Sequence, residues 1–155
     1  MKISWIRYVS LNVAILLIFS IDRLLKNYFI QNPAKVIGGD FIYELISLRL
    51  AKNTGIAFGF LFNQFFLVPL IIIAILLLLS FLIRAYQKNL FWQITALSLI
   101  VFGAASNLID RLRYGFVVDY LDVPFFTVFN LADCLITFGV FIITFWIWFR
   151  PKSRP

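Results

Sequence analysis

The side chains best suited to chemistry in this sequence are carboxylates gathered in one stretch. Four of the seven acidic residues lie in NLIDRLRYGFVVDYLDVPFFTVFNLADC, residues 107–134: they are Asp110, Asp119, Asp122 and Asp133. Two carboxylates held close together cannot both ionise easily, so they share one proton. One carboxylate then acts as a general base on a water molecule, and its protonated partner donates a hydrogen bond to a substrate carbonyl. Such a pair could hydrolyse an amide bond.

Asp119 and Asp133 are the candidates for this pair, and each also has a structural explanation. Asp133 follows Asn130 by three residues at a predicted helix start, which is a capping-box-like pattern that the helix dipole also favours. Asp119 could be a solvated loop acid, but apolar neighbours on both sides favour burial and a raised pKa. The fourteen-residue separation allows a loop to fold back over the helix start, although spacing alone does not show that it does.

The rest of the composition narrows the chemistry. The chain has no histidine and a single cysteine, Cys134, which excludes an internal disulfide and a cysteine-rich metal site. We expect neither a metal nor a cofactor. The net charge of +7 does not indicate a nucleic-acid partner, because many basic residues, such as Arg7, Arg84 and Lys88, flank apolar runs as membrane anchors do.

Hydropathy predicts an α-helical integral membrane protein. Hydrophobic residues make up 63% of the 155-residue chain and charged residues 14%, against roughly 25% charged in soluble domains. Phe65–Ile83 and Leu90–Ile109 are long uncharged runs, whereas the outer two spans must include Asp22 or lie next to Asp133. We predict one membrane domain, 1–155, with helices at about 8–30, 65–84, 90–110 and 129–149.

Four spans place both termini on one face of the membrane. Lys and Arg divide equally between the faces, but Arg23, Lys26, Arg111 and Arg113 lie within four residues of Asp22 or Asp110 and are candidates for ion pairs. Without these four, the face carrying the termini is the more basic, so we expect it to be cytoplasmic. The segments at about 31–64 and 111–128 are then extracytoplasmic, and the first alternates like one or two short surface strands.

Other polar residues near the acids have two possible interpretations. Asp22 and Lys26 are spaced for a helical ion pair, which at a membrane border is also a functional candidate. We expect Asp110, beside Arg111, to hold the loop that carries Asp119. Asp122 fits a turn acid. The stretch around Asn53 and Gly55 could be a turn, or could approach an extended peptide.

Together these motifs resemble the lipoprotein signal peptidase family, also called signal peptidase II. They are DRLLK from Asp22, NTGIAFG from Asn53, GAASNLIDR from Gly103, VVDYLD from Val117 and FNLAD from Phe129. The resemblance runs from about residue 22 to residue 133. Each motif is weak alone, but five in this order are specific.

The resemblance implies an aspartyl endopeptidase of the bacterial cytoplasmic (inner) membrane, with its active site at the extracytoplasmic face. Such enzymes remove the signal peptide of prolipoproteins before a diacylglyceryl-modified cysteine, and globomycin-type inhibitors block them. A small β-cradle, a phospholipid environment and no cofactor are also implied, and we expect a monomer. The implied catalytic residues are Asp119 and Asp133, and the supporting or substrate-binding residues are Asp22, Lys26, Asn53, Gly55, Asn107, Asp110, Arg111 and Asn130.

Two positions depart from the family pattern. Ser106 precedes Asn107 where the family usually has glycine, which affects helix packing only mildly because serine is small. Ile56 stands where alanine is common and could narrow acyl-chain or peptide preference.

Two other functions remain open from the residues alone. A proton-coupled transporter could use Asp22, Asp110 and Asp133 as a relay, but it would favour acids near the membrane midplane and repeated halves. A non-catalytic membrane subunit that docks a partner would tolerate replacement of the carboxylates.

Overall fold

Four long helices dominate the computed structural model, which describes residues 5–37, 46–55 and 63–149. They are α1 (Trp5–Gln31), α2 (Gln64–Gln87), α3 (Phe91–Tyr114) and α4 (Leu131–Phe149). All four are long and apolar enough to cross a membrane. Large apolar side chains such as Leu70, Ile73 and Phe141 point outward, as on a surface that faces lipid. The predicted four-helix membrane architecture is therefore confirmed.

Local signals explain where two of these helices begin and end. Asn63 caps α2, because its side-chain oxygen accepts a hydrogen bond from the Phe65 N–H at 2.9 Å. Gly115 ends α3 in the left-handed conformation, with φ of 76°, which glycine adopts without steric cost. This end lies four residues beyond the predicted one at residue 110, so Asp110 and Arg111 belong to the helix itself.

Glycines allow α3 and α4 to pack closely. A Cβ atom on Gly103 would lie 2.5 Å from the carbonyl oxygen of Ala132, and one on Gly139 would lie 2.6 Å from that of Ala96. Helices within lipid gain little from the hydrophobic effect, so small residues that let backbones approach stabilise their packing. Gly103 and Gly139 are therefore points of close approach between the two helices.

One face of α1 carries its buried residues: Ile15, Asp22, Lys26 and Phe29. The spacings of seven, four and three residues return to the same side of a helix. This face packs against α3 and the sheet, so the only buried charges of α1 lie at its C-terminal half, near the connecting segments.

A three-stranded antiparallel sheet covers that end of the bundle. Its strands are β1 (Val36–Ile37), β2 (Ser47–Asn53) and β3 (Val117–Asp122), in the order β1-β2-β3. The strands expected between residues 31 and 64 are present as β1 and β2, whereas β3 was not predicted. Gly38, Gly39 and Ile56 lie outside the described residues.

Candidate active site

β3 positions Asp119. The strand follows α3 directly and pairs with β2, where Asp119 lies opposite Ala51. The N–H of Val118 donates a hydrogen bond of 3.2 Å to Oδ2 of Asp110 on α3. Asp110 therefore holds the backbone next to Asp119, as its position in the sequence predicts.

The first turn of α4 positions Asp133. Its N–H donates to Oδ1 of Asn130 at 2.9 Å, and the N–H of Asn130 donates to Oδ2 of Asp133 at 3.2 Å. This reciprocal pair is a capping box. The other oxygen, Oδ1, accepts a 2.8 Å hydrogen bond from Nδ2 of Asn107 on α3. The structural interpretation of Asp133 is thus correct, and the cap also fixes the direction of its carboxylate.

Asn130 connects the two carboxylates. Its Nδ2 atom donates to Oδ1 of Asp119 at 2.6 Å, while its backbone N–H contacts Asp133 as described. The second oxygen of Asp119 accepts a 3.0 Å hydrogen bond from Nδ2 of Asn53 on β2. One residue therefore brings β3 and the start of α4 together, which the fourteen-residue spacing could not show.

Asp119 is 2% exposed, and its surroundings oppose ionisation. Burial, followed by the negative charge of Asp133, raises its pKa from 3.8 to about 7, although the amides of Asn53 and Asn130 favour the charged form. A carboxyl group with a pKa near neutrality can gain and release a proton at ordinary pH.

A buried ion-pair cluster lies next to Asp133. Nζ of Lys26 is 3.2 Å from Asp22 and 2.8 Å from Asp110, and it also donates to Oδ1 of Asn107 at 2.8 Å. Arg23 pairs with the other oxygen of Asp110. Because Lys26, Asp22 and Asp110 are fully buried, each charge needs its partners. Through Asn107, the cluster is continuous with Asp133.

Arg111 contacts Gly55 and the first residue of α2. Its guanidinium donates to the carbonyl oxygen of Gly55 at 2.6 Å and to Oε1 of Gln64 at 3.3 Å. The N–H of Gly55 in turn donates to Oδ1 of Asn53 at 3.1 Å. The suggested pairing with a carboxylate holds for Arg23 and Lys26. In the described part of the chain it does not hold for Arg111, whose side chain donates to Gly55 and Gln64 instead.

Sequence reasoning missed two members of the network. The hydroxyl of Tyr120 donates to Oδ1 of Asp22 at 2.8 Å and accepts a 3.2 Å hydrogen bond from the N–H of Leu131. Ser106 Oγ donates to the other oxygen of Asp22 at 2.6 Å. The serine was interpreted as a packing residue, but its hydroxyl is a polar partner. Ser106 lies one helical turn before Asp110, and this spacing was the sequence feature that could have indicated a polar role for its hydroxyl.

An apolar groove of about 450 Å³ opens beside Asp133. Its lining includes Asp133 together with Phe126, Phe129, Phe138 and Phe141. Asp122 is not part of this site: it lies at the end of β3, paired with Arg49. The predicted turn acid is therefore a strand residue in a surface ion pair.

Comparisons with known proteins identify the family of the chain. The family model described as "Signal peptidase (SPase) II" matches residues 14–149. A lipoprotein signal peptidase of Streptococcus thermophilus is 37% identical over 150 residues, covering 92% of this chain and 94% of that protein. One from Caldicellulosiruptor bescii is 38% identical over 141 residues, with coverages of 87% and 88%.

Two solved structures, both described as bacterial membrane enzymes, share the fold. One has a TM-score of 0.81 and 26% identity, covering 96% of both chains. The other has a TM-score of 0.76 and 32% identity, covering 93% of this chain and 96% of its own. The resemblance stated from five short motifs is confirmed over most of the sequence: this chain belongs to the signal peptidase II family.

Proposed function

We propose that the chain is an aspartic endopeptidase that removes the signal peptide from diacylglyceryl-modified prolipoproteins, cutting before the lipidated cysteine. The single observation that carries this proposal is the connection of Asp119 and Asp133 through Asn130. Asp119 is buried and Asp133 is half-buried, and both accept hydrogen bonds from Asn130. With a pKa near 7 at Asp119, they are suited to the general acid–base hydrolysis of an amide.

In the proposed reaction, the ionised member of the pair removes a proton from water as the water oxygen attacks the scissile carbonyl carbon. The protonated member donates its proton to the carbonyl oxygen, giving a neutral tetrahedral intermediate. When the C–N bond breaks, the carboxyl that took the water proton delivers it to the leaving amine. At the same time the other carboxylate takes a proton from a hydroxyl of the intermediate, which becomes the product carboxyl group. This restores the shared proton of the pair, and no covalent enzyme intermediate forms.

The surrounding residues hold this pair in place. Asn107 and Asn130 orient Asp133, and Asn53 and Asn130 orient Asp119. Amide donors stabilise the ionised carboxylate by hydrogen bonding and add no titratable group of their own. Such partners suit a pair of carboxylates that must keep one proton between them.

The apolar groove beside Asp133 fits a substrate that arrives from lipid. Its phenylalanine lining can accept the apolar part of a lipidated peptide while the peptide bond lies near the carboxylates. We further propose that this end of the bundle faces the outside of the bacterial inner membrane. There globomycin-type inhibitors would compete for the same carboxylates, and the enzyme would act as a monomer.

A gel-shift assay with a diacylglyceryl-modified prolipoprotein tests the proposal. We expect Asp119→Asn and Asp133→Asn each to lower cleavage by at least about 10²-fold, because each removes one proton-transfer group. Asp122→Asn is the matched control, since it removes a carboxylate from the same strand outside the pair, and it should retain activity. Full activity in either pair variant, or substrate that binds wild-type protein but stays intact, would refute the mechanism.

A further inference from the structure

We call the end of the bundle that carries Asp119 and Asp133 the aspartate end. The opposite end contains a cavity of about 600 Å³ between α2, α3 and α4. Two basic side chains, Arg84 and Lys88, lie at its rim. Its lining towards the middle of the bundle is apolar and is formed by Leu78, Phe81, Leu97 and Ile143. These apolar residues lie one to three helical turns closer to the middle of the bundle than the two cations, so the cavity is basic at its mouth and apolar within.

Among residues 5–37, 46–55 and 63–149, no acidic side chain pairs with the two cations. The sequence from Gln64 to Ile109 contains no acidic residue, and the ion pairs of the described residues all lie at the aspartate end. Arg84 and Lys88 are spaced i, i+4, so they project from one face of α2 towards the same space. Both are exposed, which leaves them available to an anion from outside the protein.

A second cavity, of about 380 Å³, continues around the α2–α3 turn. It shares Leu90, Gln93 and Trp146 with the first, and it adds a third basic residue, Arg7. Tryptophan is common where lipid headgroups meet acyl chains. The continuous surface thus combines cations, an amide and interfacial aromatic groups above an apolar cleft.

From this arrangement we infer that the cavity binds an anionic glycerophospholipid of the phosphatidylglycerol type. Its phosphate contacts Arg84 and Lys88, and one acyl chain lies along Leu78, Phe81 and Ile143. A zwitterionic lipid can fill the same cleft, but its ammonium group offsets the attraction of its phosphate to the cations. The site is therefore selective for headgroup charge, and it is independent of the proposed peptidase chemistry.

Trp146 supplies a local probe, because it lines both cavities. A variant with Trp5→Phe, Trp92→Phe and Trp148→Phe retains Trp146 as its single tryptophan. This full-length protein would be reconstituted in phosphatidylcholine bilayers. Brominated phosphatidylglycerol or brominated phosphatidylcholine would then be titrated in, with quenching of tryptophan fluorescence as the readout.

We expect phosphatidylglycerol to quench at a lower mole fraction than phosphatidylcholine at low salt. Each basic side chain near the lipid surface contributes a factor of about five to that preference. Arg84→Gln with Lys88→Gln should remove it, whereas the matched pair Lys35→Gln with Arg113→Gln, which removes two charges at the aspartate end, should leave it intact.

Raised salt should reduce the preference in the wild-type background, since salt screens exposed charges. Equal quenching by both lipids in that background overturns the inference, and this result needs no folded double variant. An undiminished preference after Arg84→Gln with Lys88→Gln overturns it as well. Cleavage assays do not enter the measurement, so failure here and failure of the peptidase proposal are distinguishable.

Discussion

The two ends of the helical bundle differ in whether their charged side chains are buried and paired. At the aspartate end, Lys26, Asp22 and Asp110 are fully buried and satisfy one another. At the other end, Arg84 and Lys88 are exposed, and no acidic residue pairs with them in the described structure. A buried charge requires partners within the protein because its desolvation cost is large, whereas an exposed charge can be satisfied by water or by a lipid headgroup. The aspartate end therefore holds its charged side chains in a fixed geometry. The opposite end carries the exposed cations that we propose select an anionic lipid.

The largest expected effect comes from removing the central cation of the buried cluster. Lys26→Met leaves Asp22 and Asp110 short of a partner, so we expect a loss of about 3–5 kcal/mol in the free energy of unfolding. Lys88→Met, at the opposite end, should change it by less than about 0.5 kcal/mol. Unfolding in mixed detergent micelles measures both. Adding Asp22→Asn to Lys26→Met should restore part of the loss, and equal losses from Lys26→Met and Lys88→Met would contradict the contrast between the ends.

The two close contacts between α3 and α4 give the next largest effect. Gly103→Ala and Gly139→Ala each place a Cβ less than 3 Å from a backbone oxygen, so each should cost about 1–3 kcal/mol of stability. Gly103 lies against Ala132, next to Asp133, and only this variant should also lower kcat. Cleavage rates compared at equal folded fraction separate the two effects. The same kcat in both variants would show that helix spacing does not control the aspartate pair.

A smaller effect is expected at Ser106. Ser106→Gly, which restores the residue usual in the family, removes the hydroxyl that donates to Asp22. We expect a loss of about 1 kcal/mol in unfolding free energy, since Asp22 keeps its contacts with Lys26 and Tyr120. The control is Ser80→Ala, whose hydroxyl bonds only within its own helix. A more stable Ser106→Gly protein would indicate that packing outweighs this hydrogen bond.

The pH dependence should also originate at the aspartate end. The pKa of Asp119 is about 7 in the folded protein and 3.8 in its ordinary state, so between these values the folded protein holds a proton that the unfolded chain releases. Stability from this group should therefore fall as pH rises from 3.8 to about 7 and then level off. Cleavage should decline as pH rises through about 7, because the pair loses its shared proton.

Profiles of kcat/KM and of unfolding temperature against pH test this expectation. Arg84→Gln should leave the alkaline limb of the kcat/KM profile in place, because Arg84 lies at the opposite end of the bundle from Asp119. The 64–109 segment around Arg84 contains no acidic residue that could produce this limb. A wild-type kcat/KM profile that stays flat from pH 6 to 8 would contradict a raised pKa at Asp119.

The sequence itself determined the four helices and supplied Asp119 and Asp133 as candidate catalytic residues. Long uncharged runs such as Phe65–Ile83 predict spans because apolar length is a local property. Asn130 and Asp133 predicted the helix start for the same reason, since a cap involves residues three positions apart. The Gly115 termination also depends on a single residue, although its position was placed too early.

Only the tertiary structure decided which polar groups meet. Lys26 contacts Asp110 84 positions along the chain, Asn53 contacts Asp119 across the sheet, and Tyr120 reaches back to Asp22. Strand β3 was not predicted, although Val117, Val118 and Tyr120 are residue types that favour strands, and its pairing with β2 joins segments that are distant in the sequence. Hydropathy and capping act over a few residues, whereas the partners of a buried charge are chosen by packing between distant helices.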